Sequence, residues 1–450
     1  MYINHVYKAL KYLIPGGGIT KILSLVTIYF IIKGIGIYNF GEYTIALAAI
    51  SICGIFYRVI SGQLYQIELS RLLGLKEYSS AQNLTKELLY IITGITLFLI
   101  TLVYGIIFSL DEIIFKIDFK KYHSLILISS IYVITLGYKN ILVSINRSFG
   151  YFKELSYWNI AEYFCKFFLI FTTFSILKIS ITVAQIVLID LISLIIGCVT
   201  YKIFFYKKII FQQNQKKGKD VSLFQIIKDQ GTWFFLRLLI VDLTTNTRIW
   251  IITFLLSVEA VGFYGVFKRV VQSAKILLPL GVIFNTFLPK NSFNKTNFRT
   301  MFIQCLNISW MLGLIAVILL FLGTIIIIPH VFPEMGTTLQ FLIFIGSGMY
   351  LFKTWTYSFV SILGLDRKYK NLFLVNFFLY ILTLIFLPIF IKIAGIYGMA
   401  FDLLFNSMIS FLLTYYFLIK ERPSFSVTFD DIKEIIQIKS LKQLKLFFRR

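Results

Sequence analysis

The stretch from Ile249 to Val282 reads "IWIITFLLSVEAVGFYGVFKRVVQSAKILLPLGV". On either side of the short turn "LSVEAVG" it is apolar enough to enter a bilayer, so it is expected to form a hairpin of two membrane-crossing helices. Its second leg nevertheless carries Lys268, Arg269 and Lys275, with no acidic residue among them. A Lys or Arg at the centre of a span costs about 2.5–3.5 kcal/mol on insertion scales. Three such groups on one leg call for a wet interior or for opposite charge nearby.

The rest of the chain repeats the apolar pattern. Of 450 residues, 58% are apolar and 14% charged, whereas an ordinary soluble domain has about 25% charged residues. The runs read as about twelve spans, near 14–37, 43–66, 86–109, 123–146, 155–176 and 181–206, then 233–256, 259–286, 302–328, 338–364, 372–391 and 396–419. The fold class expected is therefore an all-α polytopic membrane protein. Connections after odd-numbered spans are short and nearly uncharged ("LKISIT", "IKIAGIYG"), while those after even-numbered spans are basic ("NRSFGYFK", "LDRKYKN"). This alternation places both termini in the cytoplasm, with the amino terminus running uncleaved into the first span.

The net charge of +23 follows largely from the same asymmetry, since roughly 26 Lys and Arg fall in cytoplasmic segments and roughly 6 outside. A nucleic-acid partner is not implied. Cys53, Cys165, Cys198 and Cys305 are scattered and form no CxxC pair, so neither a metal site nor a disulfide framework is expected. Sequences of the types GxxxxGK[ST], HExxH and GxSxG are absent, which leaves no P-loop, zinc-protease or serine-hydrolase signature. No catalytic residue, metal or cofactor is expected.

The two halves resemble each other. "FGEYTIAL" (Phe40 to Leu47) lines up with "VGFYGVFK" (Val261 to Lys268), Asp190 with Asp402, and Lys139 with Lys353. Similar offsets argue for a duplicated six-helix unit, and an even number of spans makes the repeats parallel. The organisation expected is an N-terminal lobe over 1–206, a basic cytoplasmic linker over 207–222, a C-terminal lobe over 223–420 and a basic amphipathic tail over 421–450. The tail suits a membrane surface bearing anionic lipid.

Ionisable groups inside spans are functional candidates, because snorkelling serves only the span ends. Lys268, Gln272 and Lys275 share a helical stripe bordered by Arg269; Arg58, Lys139, Arg248 and Lys353 lie in other spans. The acids that could balance them are fewer: Glu162, Asp190, Asp242 and Asp402. Surplus buried positive charge suits an anionic ligand. The candidate anion-binding set is Arg58, Lys139, Arg248, Lys268, Arg269, Lys275 and Lys353, with Asp190, Asp242 and Asp402 as candidates for ion coupling. Lys166 and Arg237 read as structural.

These residues resemble the MOP superfamily of multidrug, oligosaccharidyl-lipid and polysaccharide exporters. The matching features are Glu259, Ala260, Gly262, Tyr264, a base at Lys268 or Arg269 and Pro289, together with "GIYNFGEYTIALAAIS" and "LSRLLG" in the first half. One departure is Arg248, which stands where an Asp is common in the family, with Asp242 one and a half turns earlier. The basic character and short outer loops are similar to the O-antigen and capsule repeat-unit flippases. That resemblance implies two six-helix lobes forming a V around a cationic cavity in the bacterial inner membrane. It implies movement of an undecaprenyl-pyrophosphate-linked glycan by alternating access, with the pyrophosphate-binding cations mapping to Arg58 and to Lys268 or Arg269. Coupling would draw on an H+ or Na+ gradient or on membrane potential, and other polysaccharide-assembly proteins are implied as partners. Alternatives are a cation-coupled multidrug exporter of the same fold, a membrane-embedded polysaccharide polymerase or transferase, and a structural membrane protein.

Overall fold

A computed structural model of the chain describes residues 2–54, 63–75, 77–110, 119–179, 181–204, 231–274, 298–326, 328–332 and 336–427. Among the described residues every regular element is helical. Six stretches are long and apolar enough to cross a membrane; two of them, Lys11–Ser51 and Tyr369–Glu421, have 41 and 53 residues. Each of those two is long enough for a double crossing at about 20 residues per pass. The expected polytopic all-α architecture is what the structure shows. The basic linker over 207–222 and the tail beyond Val427 lie outside the described residues.

The chain divides into two units, Ile19–Leu238 and Leu239–Arg450, the second also taking in Met1–Gly18. The first unit takes α1 (Tyr2–Cys53) from Ile19 onward; this helix combines the first two spans and is broken at Gly36, where φ is 79° and ψ 166°. That positive φ kinks the helix at little cost only because glycine has no Cβ. Then follow α2 (Gln63–Gly74), α3 (Tyr78–Leu110), α4 (Phe119–Phe149), α5 (Phe152–Phe171) and α6 (Val183–Phe204). A π-helical turn, Thr172–Ile176, extends α5. Trp158 of α5 is fully buried with its ring 4.5 Å from that of Tyr201 on α6. Asn146 of α4 donates to the Tyr201 hydroxyl at 2.6 Å, so one tyrosine joins α4 by a hydrogen bond and α5 by ring packing.

The second unit holds α7 (Thr232–Leu255) from Leu239 onward, α8 (Val258–Ser273), α9 (Phe298–Ile326), α10 (Gly336–Ser347), α11 (Met349–Leu365), α12 (Tyr369–Ala394) and α13 (Gly398–Glu421). The hairpin of the opening stretch is present: α7 ends at Leu255 and α8 starts at Val258. Ser257 caps α8 by accepting from the Ala260 N–H at 3.1 Å, and Glu259 in the first turn faces the positive end of the helix dipole. The tenth span is interrupted at Gly348, between α10 and α11. Hydroxyls within spans mostly bond their own helix, as Thr244 does to the Ile240 carbonyl and Thr356 to that of Phe352. Such back-bonding satisfies a polar group that lipid cannot.

Candidate functional site

Among the described residues, the spans hold the acid–base pairs Lys139–Glu162, Lys166–Asp190 and Arg248–Asp402, each inside a single unit. In the first unit, Lys139 of α4 reaches both oxygens of Glu162 on α5 at 2.6 Å. Its ammonium lies 5.9 Å from the Trp158 ring, a second favourable site for a cation. Gly197 of α6 makes room for this pair: a Cβ there would stand 3.1 Å from both Glu162 Cβ and Trp158 Nε1.

One turn further along α5, Lys166 forms an ion pair with Asp190 of α6. Tyr43 of α1 donates to the other Asp190 oxygen at 2.5 Å, and Lys166 Nζ is 3.3 Å from the same tyrosine hydroxyl. Tyr43 is fully buried and the Asp190 side chain is 4% exposed. Thus the tyrosine of the Gly-x-Tyr motif holds an aspartate that lies inside α6, well past its start at Val183.

The second unit repeats the arrangement with one substitution. Arg248 of α7 donates through Nε to Asp402 of α13 at 2.7 Å and through Nη2 to Thr383 of α12 at 3.4 Å. Asn406, one turn along α13, donates to the other Asp402 oxygen at 2.7 Å. Tyr264 of α8, the tyrosine of the second Gly-x-Tyr motif, is 2% exposed.

Comparing the two clusters shows that the base has changed helix. Arg248 precedes Tyr264 by as many residues as Thr27 precedes Tyr43. Lys166 is the fifteenth residue of α5, and Thr383 is the fifteenth of α12. Threonine and base have exchanged places: the first unit carries Thr27 and Lys166, the second Arg248 and Thr383. Arg248 therefore supplies the base that α12 lacks, where Thr383 stands at the position of Lys166 on α5.

Of the expected anion-binding residues, Lys139 and Arg248 are thus joined to acids. Lys268 and Arg269 are half-buried on α8, and Lys268 Nζ lies 5.8 Å from the Tyr264 ring centroid. Lys353 is half-buried on α11. Arg58 and Lys275 lie outside the described residues. Among the candidate coupling acids, Asp190 and Asp402 are the two cluster carboxylates, and Asp242 is half-buried on α7. Sequence reasoning missed the Lys166–Asp190 pair and the Glu162–Lys139 pair. The signal available was the spacing of Glu162 and Lys166, which puts them on one face of a span.

Among the described residues no group of His, Cys, Asp and Glu could hold a metal ion. Cys165 and Cys198 are free thiols.

No protein-family model matches the sequence, and no curated protein matches it. Solved structures do match in fold. A crystal structure of a MATE transporter in complex with MaL6 superposes with a TM-score of 0.73 at 11% identity, covering 94% of this chain and 97% of that one. The fold is that of the MATE transporters. A mutant of the Vibrio cholerae MATE transporter VcmN gives a TM-score of 0.68 at 14% identity, over 94% of this chain and 98% of that one. An outward-facing multidrug resistance MATE family transporter of the MOP superfamily gives 0.69 at 11% identity, over 94% and 96%. The MATE-like fold and the apolar helices make this chain a multi-pass membrane protein.

Proposed function

We propose that the protein is a flippase that carries an undecaprenyl-pyrophosphate-linked oligosaccharide across the bacterial cytoplasmic membrane by alternating access. The observation that carries this reading is how the intramembrane acids are used. Glu162, Asp190 and Asp402 are each committed to a base of their own unit, so none offers an uncompensated carboxylate to a cationic cargo. Beyond those three pairs, the candidate groups in the spans are Arg58, Lys268, Arg269, Lys275 and Lys353 against Asp242. That is an imbalance of charge, whatever hydrogen bonds these groups make. A diphosphate supplies the opposite sign, and arginine in particular matches its oxygens in pairs.

A second reading has its own support. The fold neighbours are MATE transporters, one of them described as a multidrug resistance transporter, and a cation-coupled multidrug exporter fits them at least as well as a flippase does. In that reading Asp190 and Asp402 would exchange their bases for a coupling ion.

The two readings diverge in cells. In a deletion strain the flippase reading expects lipid-linked repeat units to accumulate and surface polysaccharide to disappear. Lys268→Ala with Arg269→Ala should then fail to restore polysaccharide at normal protein level. Full restoration by this double variant would remove these cations from the proposal. Unchanged glycan together with greater sensitivity to cationic dyes would establish the multidrug reading instead.

A further inference from the structure

Arg147 is the base in the last turn of α4. Its side chain is half-buried, and its Nε is buried without a hydrogen-bond partner. Among the described residues no acid pairs with its guanidinium. Lys139, Lys166 and Arg248, by contrast, each hold a carboxylate. A charged donor withdrawn from water is costly unless opposite charge meets it, so an arginine left this way marks a place where a ligand completes the bonding.

The stripe of α4 that carries Arg147 faces α5. Two turns earlier on it Lys139 reaches Glu162, and one turn earlier Val143 packs against Leu155 and Trp158. The two helices run antiparallel, so each turn along α4 moves one turn back along α5. Arg147 therefore comes level with the first turn of α5, which starts at Phe152. The connection is tight: the Gly150 N–H donates to the Arg147 carbonyl at 3.1 Å and the Tyr151 N–H to that of Asn146 at 2.9 Å. Gly150 adopts a φ of 80°, as this way of closing a helix requires. Tyr151, the N-cap of α5, makes no side-chain cap bond, so the positive end of that helix dipole adds to the field at the guanidinium. The acids nearby are engaged elsewhere. Glu154 in the first turn has a contact of its own. On the side of α2, Ser148 donates to the Gln66 carbonyl at 3.2 Å, and Glu68 accepts from Arg71 at 2.7 Å.

We propose that Arg147, at the first turn of α5, is a binding site for a phosphate group. Phosphate is the anion that this pairing selects. The planar fork of an arginine takes two of its oxygens at once, and a third is left for the start of the helix. A phospholipid headgroup and free phosphate both present that chemistry. The site is independent of the cargo, since it uses none of the residues on which the flippase reading rests.

The test uses the purified full chain in detergent, with inorganic phosphate as one probe and phosphatidylglycerol in mixed micelles as the other. Phenylglyoxal modifies arginine side chains, and mass spectrometry reads the rate at Arg147. An effective probe at about ten times its dissociation constant is expected to slow that rate about tenfold. Arg422, already bonded to Asp366, is the reference and should be unaffected. Slowing by inorganic phosphate identifies the free anion as sufficient, and slowing by phosphatidylglycerol alone identifies a lipid headgroup; either supports the site. No slowing by either probe would overturn the proposal, and so would equal slowing by sodium chloride at matched ionic strength. In thermal unfolding the effective probe should raise the wild-type midpoint. Arg147→Gln should abolish that rise, while Arg147→Lys should keep part of it, because an ammonium lacks the fork. A full rise in Arg147→Gln would mean that phosphate binds elsewhere.

Discussion

Arg248 and Lys166 hold their aspartates by different chemistry. An arginine keeps its charge under all ordinary conditions and presents a planar fork, whereas a lysine is a point charge that can give up its proton in an apolar place. Asp402 has no exposed side-chain surface, and its two carboxylate oxygens accept from Arg248 and Asn406. Removing the base alone would strand that carboxylate. Arg248→Met is expected to destabilise the purified protein by about 3–5 kcal/mol, while adding Asp402→Leu should recover most of the loss. Thermal unfolding in detergent compares the two variants, and an equal loss in both would mean the pair contributes little. At Tyr43, loss of the hydroxyl in Tyr43→Phe leaves one Asp190 oxygen without its donor and should cost about 1–3 kcal/mol. A wild-type midpoint for this variant would show that the bond across 147 residues of sequence is not needed for stability.

Among the elements, α5 carries most of the polar work of its unit. Glu162 and Lys166 are one turn apart and so face the same way, yet they serve different neighbours, α4 and α6. The presence and limits of α5 are legible in the sequence as an apolar run. Its partners are not, because a side chain shows no sign of which distant helix it will meet. Gly197 is similarly silent: nothing in "LISLIIGCVT" announces that its missing Cβ leaves space for Glu162 and Trp158. Gly197→Ala should force the ion pair or the indole aside and cost about 1–3 kcal/mol. Chemical denaturation or heating would show this as a lowered midpoint, and an unchanged midpoint would mean the neighbours yield freely. The end of α13 makes a different prediction. Hydrogen bonds from Lys368 and Asn371, in that order of effect, hold the Glu421 carboxyl below its ordinary value. A depressed carboxylate contributes fully above the ordinary carboxylate range and loses its contribution as pH falls through the lowered value. Acidification should therefore loosen the chain where it leaves α13, and Glu421→Gln should abolish that part of the pH dependence. Hydrogen exchange at Val427 across an acid titration measures it.

At the scale of the whole molecule, the two units apply one plan with an exchange. The repeat itself was legible: the pair Asp190 and Asp402 marked equivalent positions, and in each unit that aspartate is held by a base. The exchange of base and threonine was not legible, since Lys166 and Arg248 sit on non-equivalent helices and look unrelated along the chain. Only the shared aspartate partner relates them. If the clusters are equivalent in packing, the base can be moved. Lys166→Thr should destabilise by about 3–5 kcal/mol, because it leaves Asp190 buried without its cation. Adding Thr27→Arg would place the base where the second unit has it and should restore part of that loss, with the introduced threonine on α5 playing the part that Thr383 plays on α12. The comparison is the unfolding midpoint of the single and double variants in the same detergent. A double variant no more stable than Lys166→Thr alone would mean that the first unit has adapted its packing around lysine, and that the likeness of the clusters ends at their charges.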